Sequence, residues 1–101
     1  MAILAIVTGP DINQEMYESV RREVKWETNI APGGLIHACS FDDKGGLQVA
    51  DVWDAPEAMA DFMTNRLQPA LKKLGLPEPT VKVYPIHNLN CTSGVQKYLI
   101  D

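Results

Sequence analysis

Two apolar stretches joined by a glycine-bearing loop constrain the fold of this chain more than any other feature. The first is GLIHACSF at 34–41, the second is LQVADVWD at 47–54, and the loop DDKGG lies between them. Both have the length and the branched and aromatic residues that are typical of β-strands, and a short loop with glycine is typical of a hairpin. The sequence therefore predicts an antiparallel pair of strands near the middle of the chain.

A strand and a helix are predicted before this hairpin. The run AILAIVT at 2–8 is apolar and is followed by Gly9 and Pro10, as expected for a buried strand. Asp11 then precedes an amphipathic pattern and is the predicted N-cap. Apolar residues recur at every fourth position of that pattern: Ile12, Met16, Val20 and Val24, with Tyr17 beside them. The pattern predicts a helix over residues 12–28.

A second helix and a last strand are predicted after the hairpin. The apolar face of this helix consists of Met59, Phe62, Met63 and Leu67. Pro69 is expected to interrupt the helix, because proline has no N–H and its ring clashes with the preceding turn. A shorter helical piece, PALKKLG, should then end at Gly75. TVKVYPIHN at 80–88 is the predicted last strand, and Pro85 within it favours an edge position or a bulge.

The order strand, helix, strand, strand, helix, strand predicts an α+β fold. Two split β-α-β units give the ferredoxin-like sandwich, in which an antiparallel four-stranded sheet carries both helices on one face. With 101 residues, we predict one domain over 1–90 and a tail over 91–101. The other face of the sheet would be a large apolar patch, and a second copy of the chain is its simplest cover. We therefore predict a homodimer, with the tail docked on the partner subunit or disordered.

The charge of the chain excludes two classes of partner. A net charge of -4, with no basic run, argues against binding to nucleic acid and against an anionic membrane surface. The apolar N-terminal run has no basic residue before it and is too short to span a bilayer, so we expect a cytoplasmic protein.

Side-chain alternation divides each strand of the hairpin into two faces. One face carries a mixed set: Leu35, His37, Cys39 and Phe41 on the first strand, and Leu47, Val49, Asp51 and Trp53 on the second. The opposite face carries a small apolar set that suits close packing under helices: Ile36, Ala38, Ala50 and Val52. We therefore expect the mixed set to face away from the helices, toward the second subunit. If Phe41 pairs with Leu47, His37 lies opposite Asp51 and Leu35 opposite Trp53.

A histidine opposite a carboxylate has a clear chemical use. The carboxylate fixes one tautomer of the imidazole and stabilises its protonated form, which makes a base that works near neutral pH. The pair can equally be structural, because two buried polar groups satisfy each other. We take His37 and Asp51 as candidate catalytic residues, with no metal site. Trp53 is either a wall of a pocket or part of the core.

The sequence also resembles the dimeric α/β-barrel superfamily, and within it the antibiotic-biosynthesis-monooxygenase-like domains. The residues that carry the resemblance are GGLIHACSFDDKGGLQVADVWDAPEAMADF, RLQPALKKLGL and VKVYPIHN, which cover most of residues 33–88. The resemblance implies a homodimer, and a cofactor-independent monooxygenase is one activity that it implies. Other members degrade haem or isomerise their substrates, and some have no assigned activity.

Two functional hypotheses follow. The first is cofactor-independent oxidation of a small aromatic or enolic compound in a pocket on the intersubunit side of the sheet, lined by Trp53, Leu35, Cys39 and Tyr84. The second is a non-catalytic ligand-binding or accessory dimer in which His37 and Asp51 form a structural pair. An open cavity that His37 faces favours the enzyme, and an interior filled by side chains favours the second hypothesis.

Overall fold

The structure is a computed structural model and describes residues 1–100, so the last residue of the predicted tail lies outside the described part. Its strands are β1 (Ile3–Gly9), β2 (Gly34–Phe41), β3 (Leu47–Trp53) and β4 (Thr80–Pro85). Its α-helices are α1 (Gln14–Val24), α2 (Pro56–Phe62) and α3 (Gln68–Leu74). A π-helical turn at Met63–Leu67 joins α2 to α3, and a 3₁₀ helix spans Ser93–Tyr98.

The four strands form one antiparallel sheet in the order β2-β3-β1-β4. This order, with two helical segments packed on one face, is the predicted ferredoxin-like sandwich. The prediction of an α+β fold is therefore confirmed. The strand that contains Pro85 lies at an edge of the sheet, also as predicted, because an interior strand would need the N–H that proline lacks.

The predicted register of the hairpin is confirmed at the two candidate catalytic residues. Phe41 pairs with Leu47, and His37 pairs with Asp51. The predicted pairing of Leu35 with Trp53 is wrong, because a bulge between positions 34 and 36 places Gly34 opposite Trp53. A bulge inserts one residue into one strand, so simple counting fails beyond it.

The two faces of the hairpin are the reverse of those predicted. Trp53 is fully buried and packs in a core cluster with Phe62 and Ala58 from α2, and Asp51 is only 6% exposed. By contrast, Ile36 and Ala38 on the opposite face are exposed. The mixed set faces the helices because its large apolar members fill the space between the two layers, and that gain outweighs the cost of burying one paired carboxylate.

Helix α1 is shorter than predicted at both ends. Its N-cap is Asn13 rather than Asp11, and the Asn13 side chain accepts a hydrogen bond of 2.9 Å from the backbone N–H of Met16. The helix ends at Val24, and its C-cap, Lys25, takes a left-handed conformation with a φ of 58°. Residues 25–33 therefore form a loop, and this loop places Trp26 against the core.

The prediction that Pro69 interrupts the second helix is wrong. The chain stays helical from Pro56 to Leu74, and the adjustment is the π-helical turn just before the proline. There the backbone N–H of Gln68 bonds to the carbonyl of Met63, five residues back. The widened turn accommodates a ring that would clash in a regular α-helix. The predicted end at Gly75 is confirmed, with a φ of 68° at that glycine.

The C-terminal tail is exposed throughout residues 91–100. The 3₁₀ helix leaves Tyr98, Leu99 and Ile100 exposed, and whether this tail docks on a second subunit stays a prediction. Within residues 1–100, every helix falls short of the length and apolar character needed to cross a membrane.

Candidate functional site

A cavity of about 100 Å³ lies between the sheet and the helices. Apolar side chains make most of its wall: Val7, Ile12, Val20, Val24, Trp26, Leu47, Val49, Phe62, Met63, Leu67, Leu71 and Pro79. Four polar side chains complete the lining: Tyr17, Arg21, His37 and Asp51. A mostly apolar cavity with a few convergent polar groups is the usual form of a small-molecule site.

His37 is hydrogen-bonded through both ring nitrogens at the wall of this cavity. Its Nδ1 lies 2.7 Å from Oδ1 of Asp51, and its Nε2 lies 2.6 Å from the hydroxyl of Tyr17. A carboxylate can only accept, so Nδ1 carries the proton and donates to Asp51. Nε2 of the neutral ring then accepts from the Tyr17 hydroxyl. The three residues form a relay from β3 through β2 to α1.

Tyr17 is held as a proton donor by its surroundings. Burial raises the pKa of the Tyr17 phenol above its usual range, and the nearby Cys39 thiol adds to the rise. The phenol and imidazole rings are nearly parallel, with an angle of 6° and centroids 6.2 Å apart. At that separation the rings meet end to end through the hydrogen bond. In the sequence, Tyr17 lies beside the apolar stripe of α1, and we did not predict a functional role for it.

An aromatic cluster lies beside the imidazole. The Trp26 ring is 5.4 Å from the His37 ring and makes edge-to-face contacts with Trp53 and Phe62. Trp26 also lies so close to β2 that a Cβ at Gly34 would come within 2.7 Å of its ring. Nε1 of Trp53 has no hydrogen-bond partner among the described residues. The position of Trp26 depends on a loop conformation, which a periodic pattern does not predict.

Arg21 is the cationic residue of the lining, but its charge is already matched. Its guanidinium forms a salt bridge of 3.0 Å with Glu18 and a second salt bridge with Glu27. These carboxylates hold the pKa of Arg21 above its usual value, mainly through the hydrogen bond that Nε of Arg21 donates to Glu27. The cavity therefore offers little free positive charge to an anionic ligand.

The structure separates the other predicted site residues from this cavity. His37 and Asp51 are together, but Trp53 lies behind the lining in the core. Cys39 is half-buried at the neighbouring core cluster, and burial raises the pKa of its thiol. Leu35 and Tyr84 are 52% and 50% exposed, and neither contributes to the lining. The cavity that His37 and Asp51 line thus lies under the helices, and a pocket on the intersubunit side of the sheet stays a prediction.

Comparison with known proteins gives similarity at the level of structure. No family model and no curated protein matches the chain. A monooxygenase from the gene ActVA-Orf6 of Streptomyces coelicolor, in complex with the ligand nanaomycin D, superposes with a TM-score of 0.65 at 18% identity, over 91% of this chain and 93% of that one. SnoaB, a cofactor-independent oxygenase from Streptomyces nogalater, gives 0.64 at 13% identity, over 87% and 94%. A conserved protein from Methanosarcina mazei gives 0.63 at 13% identity.

These superpositions describe the fold of the chain. The chain has the antibiotic-biosynthesis-monooxygenase-like fold, and the resemblance predicted from the sequence is confirmed at that level. Identities of this size describe the backbone alone, so the chemistry has to be argued from the residues of this chain.

Proposed function

We propose that this protein is a cofactor-independent monooxygenase of small phenolic or enolic compounds, with the cavity under the helices as its active site. One observation carries the proposal. His37 lies at the wall of an apolar cavity with a carboxylate on one ring nitrogen and a phenol on the other. In this arrangement His37 is the base. Its hydrogen bond to Asp51 already orients the ring to accept a proton at Nε2 before a substrate binds.

The first step is removal of a proton from the substrate hydroxyl. The substrate gives its proton to the Tyr17 oxygen while Tyr17 gives its own proton to Nε2 of His37. The Asp51 carboxylate stabilises the imidazolium that forms, since it already accepts a hydrogen bond from Nδ1. The apolar wall excludes water and strengthens each of these interactions.

The second step is reduction of dioxygen by the substrate anion. An electron-rich phenolate or enolate transfers electron density to dioxygen and forms a carbon–oxygen bond. Loss of water then leaves a carbonyl, so a phenol and one dioxygen give a quinone and one water. The protein supplies the proton for that water from the His37 imidazolium, through Tyr17.

The size and charge of the cavity limit the substrate. An apolar cavity of roughly 150 Å³ holds benzene, and the present cavity is about 100 Å³. A compound with one ring therefore fits after small movements of the lining, for which the flexible Met63 side chain is suited. Because the charge of Arg21 is matched, we expect neutral substrates to be preferred over carboxylates or phosphates.

The same small volume favours the second candidate function. In a non-catalytic ligand-binding or accessory protein, His37, Asp51 and Tyr17 would satisfy one another within a nearly filled interior. The two functions differ in one respect, because the non-catalytic protein binds aromatic compounds, or none, without consuming dioxygen.

The test is dioxygen consumption with a set of single-ring phenols and hydroquinones, compared with the rate without protein. We expect the His37→Gln variant to lose activity by roughly 10²-fold or more, the scale of one general base. The His87→Gln variant is the matched control, because His87 is an exposed histidine outside the cavity lining. Equal activity in the two variants would contradict the proposal.

The Asp51→Asn variant separates catalysis from folding. An amide can keep a hydrogen bond to the imidazole but cannot stabilise its positive charge. We expect a melting temperature close to that of the parent protein together with loss of dioxygen consumption. Aromatic compounds that raise the melting temperature of the parent without being consumed would instead support the ligand-binding function.

A further inference from the structure

We infer that Tyr17 is a redox-active tyrosine that gives up an electron and a proton together, with His37 as its built-in proton acceptor. The inference concerns one-electron chemistry of a protein side chain, which is distinct from the removal of a substrate proton. It rests on the proposed function only for the identity of the natural oxidant. The geometry and its test need no substrate.

The chemistry of phenols is the first support. A phenol that loses an electron becomes a radical cation, which is a very strong acid. Oxidation near neutral pH is therefore easy only when a base takes the proton at the same time. In this structure Nε2 of His37 lies 2.6 Å from the Tyr17 hydroxyl, within the range of a strong O–H···N bond.

The second support is that the acceptor is itself prepared for the proton. Asp51 is buried and bonds to Nδ1 of His37 at 2.7 Å, so the imidazolium would form beside a carboxylate. The Tyr17 and His37 rings are nearly parallel, which directs the O–H bond toward the nitrogen lone pair in the ring plane. The Trp26 ring packs beside the imidazole, with the two ring centroids 5.4 Å apart.

The step balances with an aryloxyl radical as the oxidant. Such a radical would arise in the cavity if a substrate anion passed one electron to dioxygen and the two then separated. The O–H bond of Tyr17 breaks, its electron reduces the aryloxyl radical to a phenolate, and its proton forms an N–H bond at Nε2 of His37. The products are a neutral Tyr17 phenoxyl radical, an imidazolium and the recovered phenolate. Tyr17 would thus remove a reactive radical from the cavity.

The experiment uses the small number of tyrosines in the chain. There are three, Tyr17, Tyr84 and Tyr98. The Tyr84→Phe/Tyr98→Phe variant leaves Tyr17 as the only tyrosine and changes only exposed side chains. The matched control, Tyr17→Phe/Tyr84→Phe, keeps only Tyr98, which is 75% exposed. Photogenerated tris(bipyridine)ruthenium(III) oxidises each protein, and phenoxyl absorption gives the rate.

We expect Tyr17 to form its radical at a rate that does not change with buffer concentration, because its proton goes to His37. Tyr98 gives its proton to the solution, so its rate should rise with buffer concentration. Replacing Asp51 by Asn in the Tyr17-only protein should slow radical formation by roughly tenfold, the effect of losing one charge-assisted hydrogen bond. Replacing His37 by Gln should make the rate depend on buffer.

Several results would overturn the inference. A Tyr17 rate with the same buffer dependence as that of Tyr98 would show that no internal acceptor operates. A tryptophan radical in place of the phenoxyl radical would show that another side chain is the site of oxidation. Because the Tyr17-only protein keeps Tyr17, His37 and Asp51 intact, the result does not depend on whether the proposed enzyme finds a substrate.

Discussion

The two faces of the sheet are made by the same strands but have opposite characters. The face under the helices carries large apolar side chains, the cavity and the buried Asp51. The opposite face carries Ile36, Ala38 and Tyr84, and all three side chains are exposed. Alternation assigns residues to faces in both cases, but it does not determine which face the helices cover. The candidate catalytic residues His37 and Asp51 therefore lie on the same face of the sheet as the large core side chain Trp53.

The largest expected effect is on the covered face. We predict that Trp53→Ala lowers the free energy of unfolding by about 3–5 kcal/mol, because it leaves a cavity in the aromatic cluster. Trp53→Phe should cost much less, since it also removes an Nε1 donor that has no partner among residues 1–100. Urea unfolding followed by circular dichroism measures both.

The control for this prediction is Tyr84→Ala on the other side of the sheet. Tyr84 is half-exposed, so its loss should change the stability of the folded subunit by no more than about 0.5 kcal/mol. Similar losses for Trp53→Ala and Tyr84→Ala would remove the distinction between the two faces.

An intermediate effect is expected at alkaline pH. Folding raises the pKa of Tyr17, so above the unfolded-state pKa, near 10, the unfolded chain binds fewer protons than the folded one. Stability is therefore complete below about pH 10 and falls as the pH rises further. The slope is at most about 1.4 kcal/mol per pH unit, and smaller because Tyr17 is partly exposed to solvent.

The Tyr17→Phe variant tests this dependence. It should have a flatter alkaline limb than the parent protein when urea midpoints are measured between pH 9 and about 11. Tyr98→Phe serves as the comparison, because that side chain is exposed. An equal loss of slope in both variants would mean that general alkaline unfolding, and not the buried phenol, sets the pH dependence.

The smallest effect on the folded subunit is expected on the open face. We predict that a second copy covers this face, and that Ala38→Glu places a charge in the contact without disturbing the core. Sedimentation should show a dimer for the parent chain and a monomer for the variant, with unchanged circular dichroism. A parent chain that is monomeric at micromolar concentration would contradict the prediction.

The sequence was sufficient for the order of elements, the edge position of Pro85 and the pairing of His37 with Asp51. Each of these depends on local pattern or on counting along adjacent strands. The site itself required tertiary contacts. Tyr17 reaches His37 from another element, and Trp26 comes from a loop that begins where Lys25 takes a left-handed conformation. No periodicity in the chain encodes either approach.

The choice of the wrong face has a similar physical cause. Alternation gives the parity of each residue but not the side on which the helices pack. We assigned the small apolar set to the face under the helices, and this left the histidine and the carboxylate on the uncovered face. The structure shows instead that a polar pair is tolerated under the helices when each member has a partner, as His37 has in Asp51 and Tyr17.

The π-helical turn at Met63–Leu67 has a consequence for how such proteins diversify. A turn of this type contains one residue more than an α-helical turn, and both of its terminal residues line the cavity. Deleting a single residue there would remove one side chain from the turn and tighten it to an α-helical turn, while the helical segments on either side stay nearly in phase. The shape of the pocket could then change through chain length alone, with the sheet, the hairpin and the His37–Asp51 pair left in place. Insertions and deletions, and not only substitutions, are therefore a route by which this fold can acquire new ligands.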